Sequence, residues 1–325
     1  MEYRALGHSG LKVSAVGLGC NNFGMTIDET QTKAVVTAAI DHGITLFDTA
    51  DIYGGKGTSE TYLGKALGKN RRDVLIATKF GNPMGDGPYA RGGSRRYITH
   101  AVEESLRRLK TDYIDLYQIH TPDPDTPIEE TLRALDDLVH SGKVRYIGCS
   151  NFSGWQLVEA QWTAATSGLT PFISAQNRYS VLSREIEIDL TEPAEQYGVG
   201  ILPFFPLESG LLTGKYKQGK KPAKGTRWHA WQGRGAMANA FWSDDKFALV
   251  NQLQNACNRD GATLLDLAFG WLLSNENVSS VIAGATKPAQ IKSNVEAAAY
   301  RPSQDVLSAV DDITRPVPPG GMPGR

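Results

Sequence analysis

Cysteine is scarce. The 325 residues contain three, Cys20, Cys149 and Cys257, far apart and without CxxC spacing. That excludes a disulfide scaffold and a cysteine zinc site, and it fits a reducing compartment. Neither sign of charge is in excess: 34 Lys and Arg stand against 35 Asp and Glu, a net charge of −1. Such a chain has no field suited to nucleic acid or an anionic membrane. The densest basic run, between Lys215 and Lys224, is interrupted by glycine and proline. Long apolar runs are also missing, for the stretch from Leu264 to Leu273 carries Asp266 and is too short to cross a bilayer. The first residues, Met1-Glu2-Tyr3-Arg4, lack the charged-then-apolar layout of a signal peptide. The expectation is a cytoplasmic chain with no nucleic-acid and no membrane partner.

What is present is a regular alternation. After a short hairpin around Gly7-His-Ser-Gly10, apolar or β-branched runs fall at 15–18, 45–47, 74–78, 114–119, 144–148, 172–175, 200–202 and 278–283. Amphipathic stretches lie between and after them, at 29–42, 59–67, 99–109, 128–141, 154–166, 186–197, 263–273, 289–298 and 303–313. Strand followed by helix, repeated eight times, implies parallel strands joined by crossovers. The runs are apolar throughout rather than alternating, as in sheets covered on both faces. A doubly wound sheet has fewer strands, and no strand here leads into GxGxxG. The expected fold is therefore α/β, a (β/α)8 TIM barrel with an N-terminal β-hairpin cap. Residues 1–314 read as one domain and 315–325 as a disordered tail. Two structureless loops break the beat, 81–96 after the third strand and 214–244 after the seventh. Both follow strand carboxyl ends, the rim where barrel active sites are assembled.

That rim collects chemistry. The second strand ends in Phe47-Asp48-Thr49-Ala50-Asp51 with Tyr53 beyond it, the third in Ala77-Thr78-Lys79, the fourth in Tyr117-Gln118-Ile119-His120. A phenol with a reference pKa of about 10 is a poor proton shuttle near neutrality. A neighbouring Lys79 ammonium is expected to lower it, with Asp48 pairing that lysine. His120 can donate a hydrogen bond to a carbonyl oxygen. No Cys–His pair, GxSxG elbow or metal-ligand set accompanies these groups, so a proton donor without a nucleophile implies hydride from a cofactor.

The segments Gly43-Ile-Thr-Leu-Phe-Asp48-Thr-Ala-Asp-Ile-Tyr53-Gly, Ile76-Ala-Thr-Lys79, Tyr113-Ile-Asp-Leu-Tyr-Gln-Ile-His120 and Ile147-Gly-Cys-Ser150-Asn151-Phe resemble the signatures of the aldo-keto reductase superfamily. The likeness runs from Leu11 to about Ala298 and is nearest its longer microbial branch and the β subunits of voltage-gated potassium channels. The resemblance implies a catalytic tetrad of Asp48, Tyr53, Lys79 and His120, with Tyr53 as general acid, reducing an aldehyde or ketone with NADPH; NADH is a further possibility. It implies that Ser150, Asn151 and Gln176 hold the nicotinamide carboxamide and that Phe204 stacks on the ring. Cys20, Asn21 and Asp48 border the cofactor in the same reading. Pro206, Leu207, Ser209 and Lys215 resemble the pyrophosphate loop. Gly284, Thr286, Lys287, Gln290 and Asn294 resemble the adenosine-phosphate segment, which begins a helix and so suits an anion. Arg227 would join Thr286 and Lys287 around a 2′-phosphate.

The chain departs from the family's pattern in places. Phe205 stands where a serine is common, and Gly284-Ala285 and Gln290 replace the Lys-Ser and Arg of the short-chain branch. Asn22, Tyr53, Tyr89, His120, Trp228 and Trp231 are candidates for the substrate pocket. Trp228, Trp231 and Trp242 either line it or pack the loop onto the barrel. Trp155 and Trp162 read as helix-face packing, and Cys149 as a small buried hydrophobe. One alternative is a nucleotide-binding regulatory or scaffolding subunit with little turnover. Against it, the chain starts almost at the hairpin, leaving no segment to act as an effector. Another is a lyase or isomerase using Lys79 as a Schiff-base amine. The substrate's identity and the oligomeric state are left open.

Overall fold

The computed structural model describes residues 1–231 and 241–316, apart from the side chain of Trp231. The expected tail coincides with this range only at Arg315 and Pro316; the rest of it lies outside the described residues. An antiparallel hairpin, β1 (Tyr3–Ala5) and β2 (Lys12–Ser14), leads straight into β3 (Val16–Gly19). Parallel strands follow: β4 (Leu46–Asp48), β5 (Leu75–Phe80), β6 (Ile114–Ile119), β7 (Val144–Ser150), β8 (Ser174–Gln176), β9 (Gly200–Ile201) and β10 (Val281–Gly284). They form one eight-stranded sheet in the order β10-β3-β4-β5-β6-β7-β8-β9. The sheet curls on itself. Ile201 N donates to Asn277 O at 2.8 Å and Ile282 N to Pro203 O at 2.9 Å, with parallel bridges Ile201–Val278 and Phe204–Ile282 between its two ends. This is the expected (β/α)8 barrel.

Period-two alternation sorts each strand's side chains between the two faces. Leu46, Ala77, Leu116, Leu202 and Ile282 form a small apolar cluster inside the barrel, joined by Leu6 and Val13 of the hairpin. The intervening residues Phe47, Ile76, Tyr117, Ile119, Ile147 and Cys149 pack outward against the helices. The hairpin closes the amino-terminal mouth, where His8 N donates to Gly198 O at 2.7 Å just before β9. Gly7 (φ 56) is required there, since a side chain would run into the Gly198 carbonyl. Two residues further up the same inward face, the apolar layer gives way to polar groups.

The helices start where caps allow. The helix expected at 99–109 begins earlier, at Arg95–Leu109, because the Ser94 side chain accepts from Tyr97 N; the preceding loop is correspondingly shorter. The single helix expected at 186–197 is two pieces, Glu185–Glu187 and Thr191–Gln196. The loop at 214–244 is not structureless, for it contains the helix Arg227–Trp231, and another begins at Asp244. Trp155 and Trp162 do not pack. They are 66% and 65% exposed because the helix Gly154–Ser167 buries its other face through Leu157, Ala160 and Ala164. No helix among the described residues is long and apolar enough to cross a membrane.

Leu6 has no exposed surface and fills the barrel floor. Leu6→Ala is expected to cost about 2–5 kcal/mol in urea unfolding; a loss below about 1 kcal/mol would show that the hairpin does not seal the interior.

Candidate active site

Six of the eight barrel strands carry a polar or aromatic group at or just past the carboxyl end: Asp48 on β4, Lys79 on β5, Ser150 on β7, Gln176 on β8, with His120 just past β6 and Phe204 past β9; β3 and β10 end in Gly19 and Gly284. The centre is an ion pair. Lys79 Nζ donates to Asp48 Oδ1 at 2.6 Å, with side-chain exposures of 0% and 5%. Lys79 Nζ also donates to the Thr49 carbonyl at 2.9 Å, and Gln176 Nε2 donates to the same Asp48 oxygen at 2.8 Å. Three strands of the barrel are thereby joined at one carboxylate. Burial alone would push the Lys79 ammonium down, but Asp48 and Tyr53 hold it above its ordinary value. The ammonium is committed to Asp48 and the Thr49 carbonyl, an arrangement that disfavours its use as a Schiff-base amine.

Tyr53 opens a single turn, Tyr53–Lys56, that ends at Gly57 with φ 96. Its ring lies 5.2 Å from Lys79 Nζ, measured to the centroid, and meets the His120 ring edge-on at 5.6 Å. All four expected tetrad residues therefore meet at one place. The expected lowering of the phenol is not found. Burial pushes Tyr53 above its ordinary value, Lys79 pulls it back by charge and hydrogen bond, and Asp48 adds to the rise. The physical reason is burial, which outweighs the lysine's positive field, itself partly offset by Asp48. His120 is pushed down to about 3 by burial and by Lys79, so its ring is neutral. Cys20, fully buried beside them, has its thiol driven up by burial and Asp48 and is inert.

The nicotinamide candidates are contiguous. Ser150 pairs with Gln176 across β7 and β8, and Ser150 Oγ donates to the Gln176 carbonyl at 2.8 Å. Asn151, in a left-handed conformation (φ 59), donates to the His120 carbonyl at 2.9 Å. Phe204 packs edge-on against Phe205 at 5.4 Å. Phe205, which stands where a serine is common, has φ 54 and turns its ring to Phe241 at 5.5 Å.

The following loop, Glu208–Thr213, is held from below by a residue that sequence reading passed over. Glu208, fully buried, accepts from Arg178 Nη2 at 2.6 Å, Ser180 Oγ at 3.0 Å and Lys246 Nζ at 3.1 Å. Burial raises its carboxyl, yet Arg178 and Lys246 hold it below the usual carboxylate range. Pro206 is buried and Leu207 half-buried beside it, while buried Ser209 Oγ has no partner among the described groups. Lys215 lies against Gly210, and burial together with the nearby Arg227 charge lowers its ammonium. Arg227 is itself lowered by burial, and neither cation has a carboxylate in salt-bridge range among the described residues.

Other candidates are placed differently from expectation. Asn22 is buried beside Gly284, and Arg227 Nη2 reaches its Oδ1 at 3.5 Å. Asn21 borders the same Gly284. Gln290 is exposed, and its Oε1 accepts from Thr286 N at 2.7 Å and Lys287 N at 3.1 Å, capping its own helix. Lys287 is exposed and Asn294 is buried on that helix. Tyr89 is 64% exposed, with the Arg96 guanidinium over its ring at 4.2 Å, and makes no described contact with the tetrad. Trp228 stacks on Trp242 at 5.5 Å and meets Tyr216 edge-on at 5.4 Å. These are packing contacts of Trp228 within its loop. Trp231's side chain lies outside the described residues.

The site is thus a closed parallel barrel with a buried Lys–Asp pair, a tyrosine and a neutral histidine on its carboxyl rim, groups suited to holding and moving a proton. Comparison with known sequences gives the class. The model of the Aldo/keto reductase family matches residues 15–315. The chain is 36% identical to a probable voltage-gated potassium channel subunit beta of Arabidopsis thaliana, over 98% of each chain. It is 36% identical to the uncharacterized oxidoreductase YrpG of Bacillus subtilis over 99% of this chain and 98% of that one. It is 34% identical to an L-glyceraldehyde 3-phosphate reductase of Escherichia coli O157:H7, over 91% and 87%. The chain belongs to the aldo/keto reductase family and is an oxidoreductase of that kind.

Lys79→Met would leave the Asp48 carboxylate buried without its cation. The expected loss is about 3–5 kcal/mol in chemical unfolding; an unchanged midpoint would mean that the pair carries no stability. A pH effect follows from His120, whose folded value of about 3 lies below the unfolded value of about 6.5. The unfolded chain binds the proton first, so this contribution to stability is complete above about pH 6.5 and is lost as pH falls toward 3. His120→Asn should flatten stability over that window; an identical pH profile in both proteins would contradict a neutral buried imidazole.

Proposed function

We propose that this chain reduces an aldehyde or ketone to an alcohol with NADPH as reductant, Tyr53 being the proton donor. The observation that carries the reading is the edge-on contact of Tyr53 with His120, with the Lys79 ammonium 5.2 Å from the phenol ring. The residues present fit a dinucleotide. Ser209 Oγ is buried without a partner, Lys215 and Arg227 are two cations without carboxylates among the described residues, and Gly284 leaves a gap beside Asn21 and Asn22. Ser150, Asn151, Gln176 and Phe204 would hold the nicotinamide end. Pro206, Leu207, Ser209 and Lys215 would hold the pyrophosphate, and Arg227, Thr286 and Lys287 a 2′-phosphate. Bound there, the cofactor supplies a hydride to the carbonyl carbon.

The chain's own groups do the rest. His120, neutral, donates a hydrogen bond that orients the carbonyl and stabilises negative charge growing on its oxygen. Tyr53, protonated at neutral pH, passes its phenol proton to that oxygen; burial makes the phenol a weaker acid, and the Lys79 charge offsets part of that cost. The phenolate left behind faces Lys79, which Asp48 keeps charged and fixed. The barrier falls through positioning and oriented donors, without a covalent intermediate. The proposed setting is a cytoplasmic, single-domain enzyme.

A second reading draws on the relatives named as potassium channel β subunits. In it the chain is a nucleotide-binding subunit with little turnover. A stoichiometric protein partner in a pull-down, together with negligible carbonyl reduction, would favour that reading.

Tyr53→Phe is expected to lower turnover of a reactive aldehyde with NADPH by about 10²–10⁴-fold, with cofactor affinity retained. Activity equal to the parent would remove Tyr53 from the acid role. Titrating intrinsic tryptophan fluorescence with NADPH and NADH should show tighter binding of NADPH, a difference narrowed in a variant carrying both Arg227→Ala and Lys287→Ala. Equal affinities in the parent would overturn the 2′-phosphate site.

A further inference from the structure

Gln118 stands in the first polar layer above the barrel's apolar interior. Interior layers of such barrels are usually filled by branched apolar side chains, yet this position holds a carboxamide with no exposed surface. Its strand places it. Leu116, two residues below, belongs to the apolar interior, while Tyr117 and Ile119 pack outward. Gln118 and His120 are therefore successive residues of the inward face, about 7 Å apart along the strand. Across the sheet, Gln118 is in register with Lys79 on one side and Gly148 on the other.

Its polar atoms are left over. Neither Gln118 Nε2 nor Oε1 has a hydrogen-bond partner among the described groups, and the same is true of His120 Nδ1, also buried. Beyond Gly148, Ser174 Oγ is likewise buried and unpartnered. Gly148 keeps the row open, because a side chain there would run into Ser174 Oγ and crowd Gln118 Cγ. Lys79 Nζ, the remaining polar group in the row, is committed to Asp48 and Thr49.

A neutral imidazole carries one proton on one of two nitrogens, and the partner of the buried nitrogen decides which. We infer that Gln118 is a positioning residue for His120: its carboxamide N–H donates to one ordered water shared with Ser174, and that water donates to His120 Nδ1. The lone pair then lies on Nδ1 and the proton on Nε2. The imidazole is thus fixed as a donor toward the rim, where Tyr53 meets it. The low value of His120 accords with a ring kept neutral, which makes the choice of tautomer consequential. The inference rests on the proposed role of His120 as a donor to the carbonyl.

The test uses the full chain labelled with ¹⁵N-histidine, His120 being assigned by difference from His120→Asn. In the parent, the ¹⁵N shifts should report protonation at Nε2. In Gln118→Met, which keeps volume but removes the donor, they should move toward a mixture or toward Nδ1–H. Turnover in that variant should drop about 10- to 100-fold, as for other orienting partners of a functional histidine, with cofactor affinity unchanged. A parent His120 protonated on Nδ1, or an unchanged tautomer in Gln118→Met, overturns the inference, even if the melting temperature falls. If Gln118→Met does not fold, Gln118→Asn shortens the reach by one methylene and should show the same shift in tautomer. The tautomer is read without turnover, so a failure of carbonyl reduction across all substrates would reject the proposed function and leave this measurement independent.

Discussion

The Lys79 ammonium has no exposed surface, and a lone cation so placed would lose more in hydration than packing could return. Asp48 makes the position tenable, and the surrounding architecture follows from keeping the two together. Asp48 ends β4, Lys79 sits on β5, and Gln176, which donates to the same carboxylate oxygen, ends β8 on the far side of the barrel. Register on three strands is therefore tied to one charge pair. Tyr53 follows Asp48 through the turn that begins at Thr49, whose carbonyl the same ammonium binds.

Below that pair the barrel is apolar and sealed by the hairpin; above it the loops carry most of the polar candidates. The loop after β9 would be difficult to hold by backbone preference alone, since Phe205, Glu208, Ser209 and Gly210 all have positive φ. Glu208 supplies the restraint by gathering Arg178, Ser180 and Lys246 beneath it. A strained segment anchored by a buried ionic network presents a defined surface toward Lys215 and Arg227, and two nearby cations invite an anion.

Much of this was legible in the sequence for identifiable reasons. The eight strands were readable because short apolar runs recur between amphipathic ones, and the tetrad because its members stand at strand ends. Helix starts were less legible: Ser94 extends its helix by a full turn through a cap bond that periodicity does not register. Trp155 and Trp162 misled because tryptophan in an amphipathic stretch reads as buried, whereas their spacing of seven residues puts both on the outer face. The direction of the Tyr53 shift was hidden because it depends first on how completely the fold buries the phenol, and then on how Lys79 and Asp48 act on it at close range. Gln118 and Glu208 passed unnoticed for a similar reason. Their significance lies in what they face, and facing is set by register and loop conformation. A polar residue within an apolar strand was the available signal for Gln118.

The most direct measurement is a panel of carbonyl compounds with NADPH, spanning small aldehydes, dicarbonyls, aromatic aldehydes, sugars and bulky cyclic ketones, with the product identified. The prediction is one alcohol formed per NADPH consumed for at least one class. No consumption with any carbonyl, under conditions where NADPH is shown to bind, would contradict the assignment of this rim to carbonyl reduction.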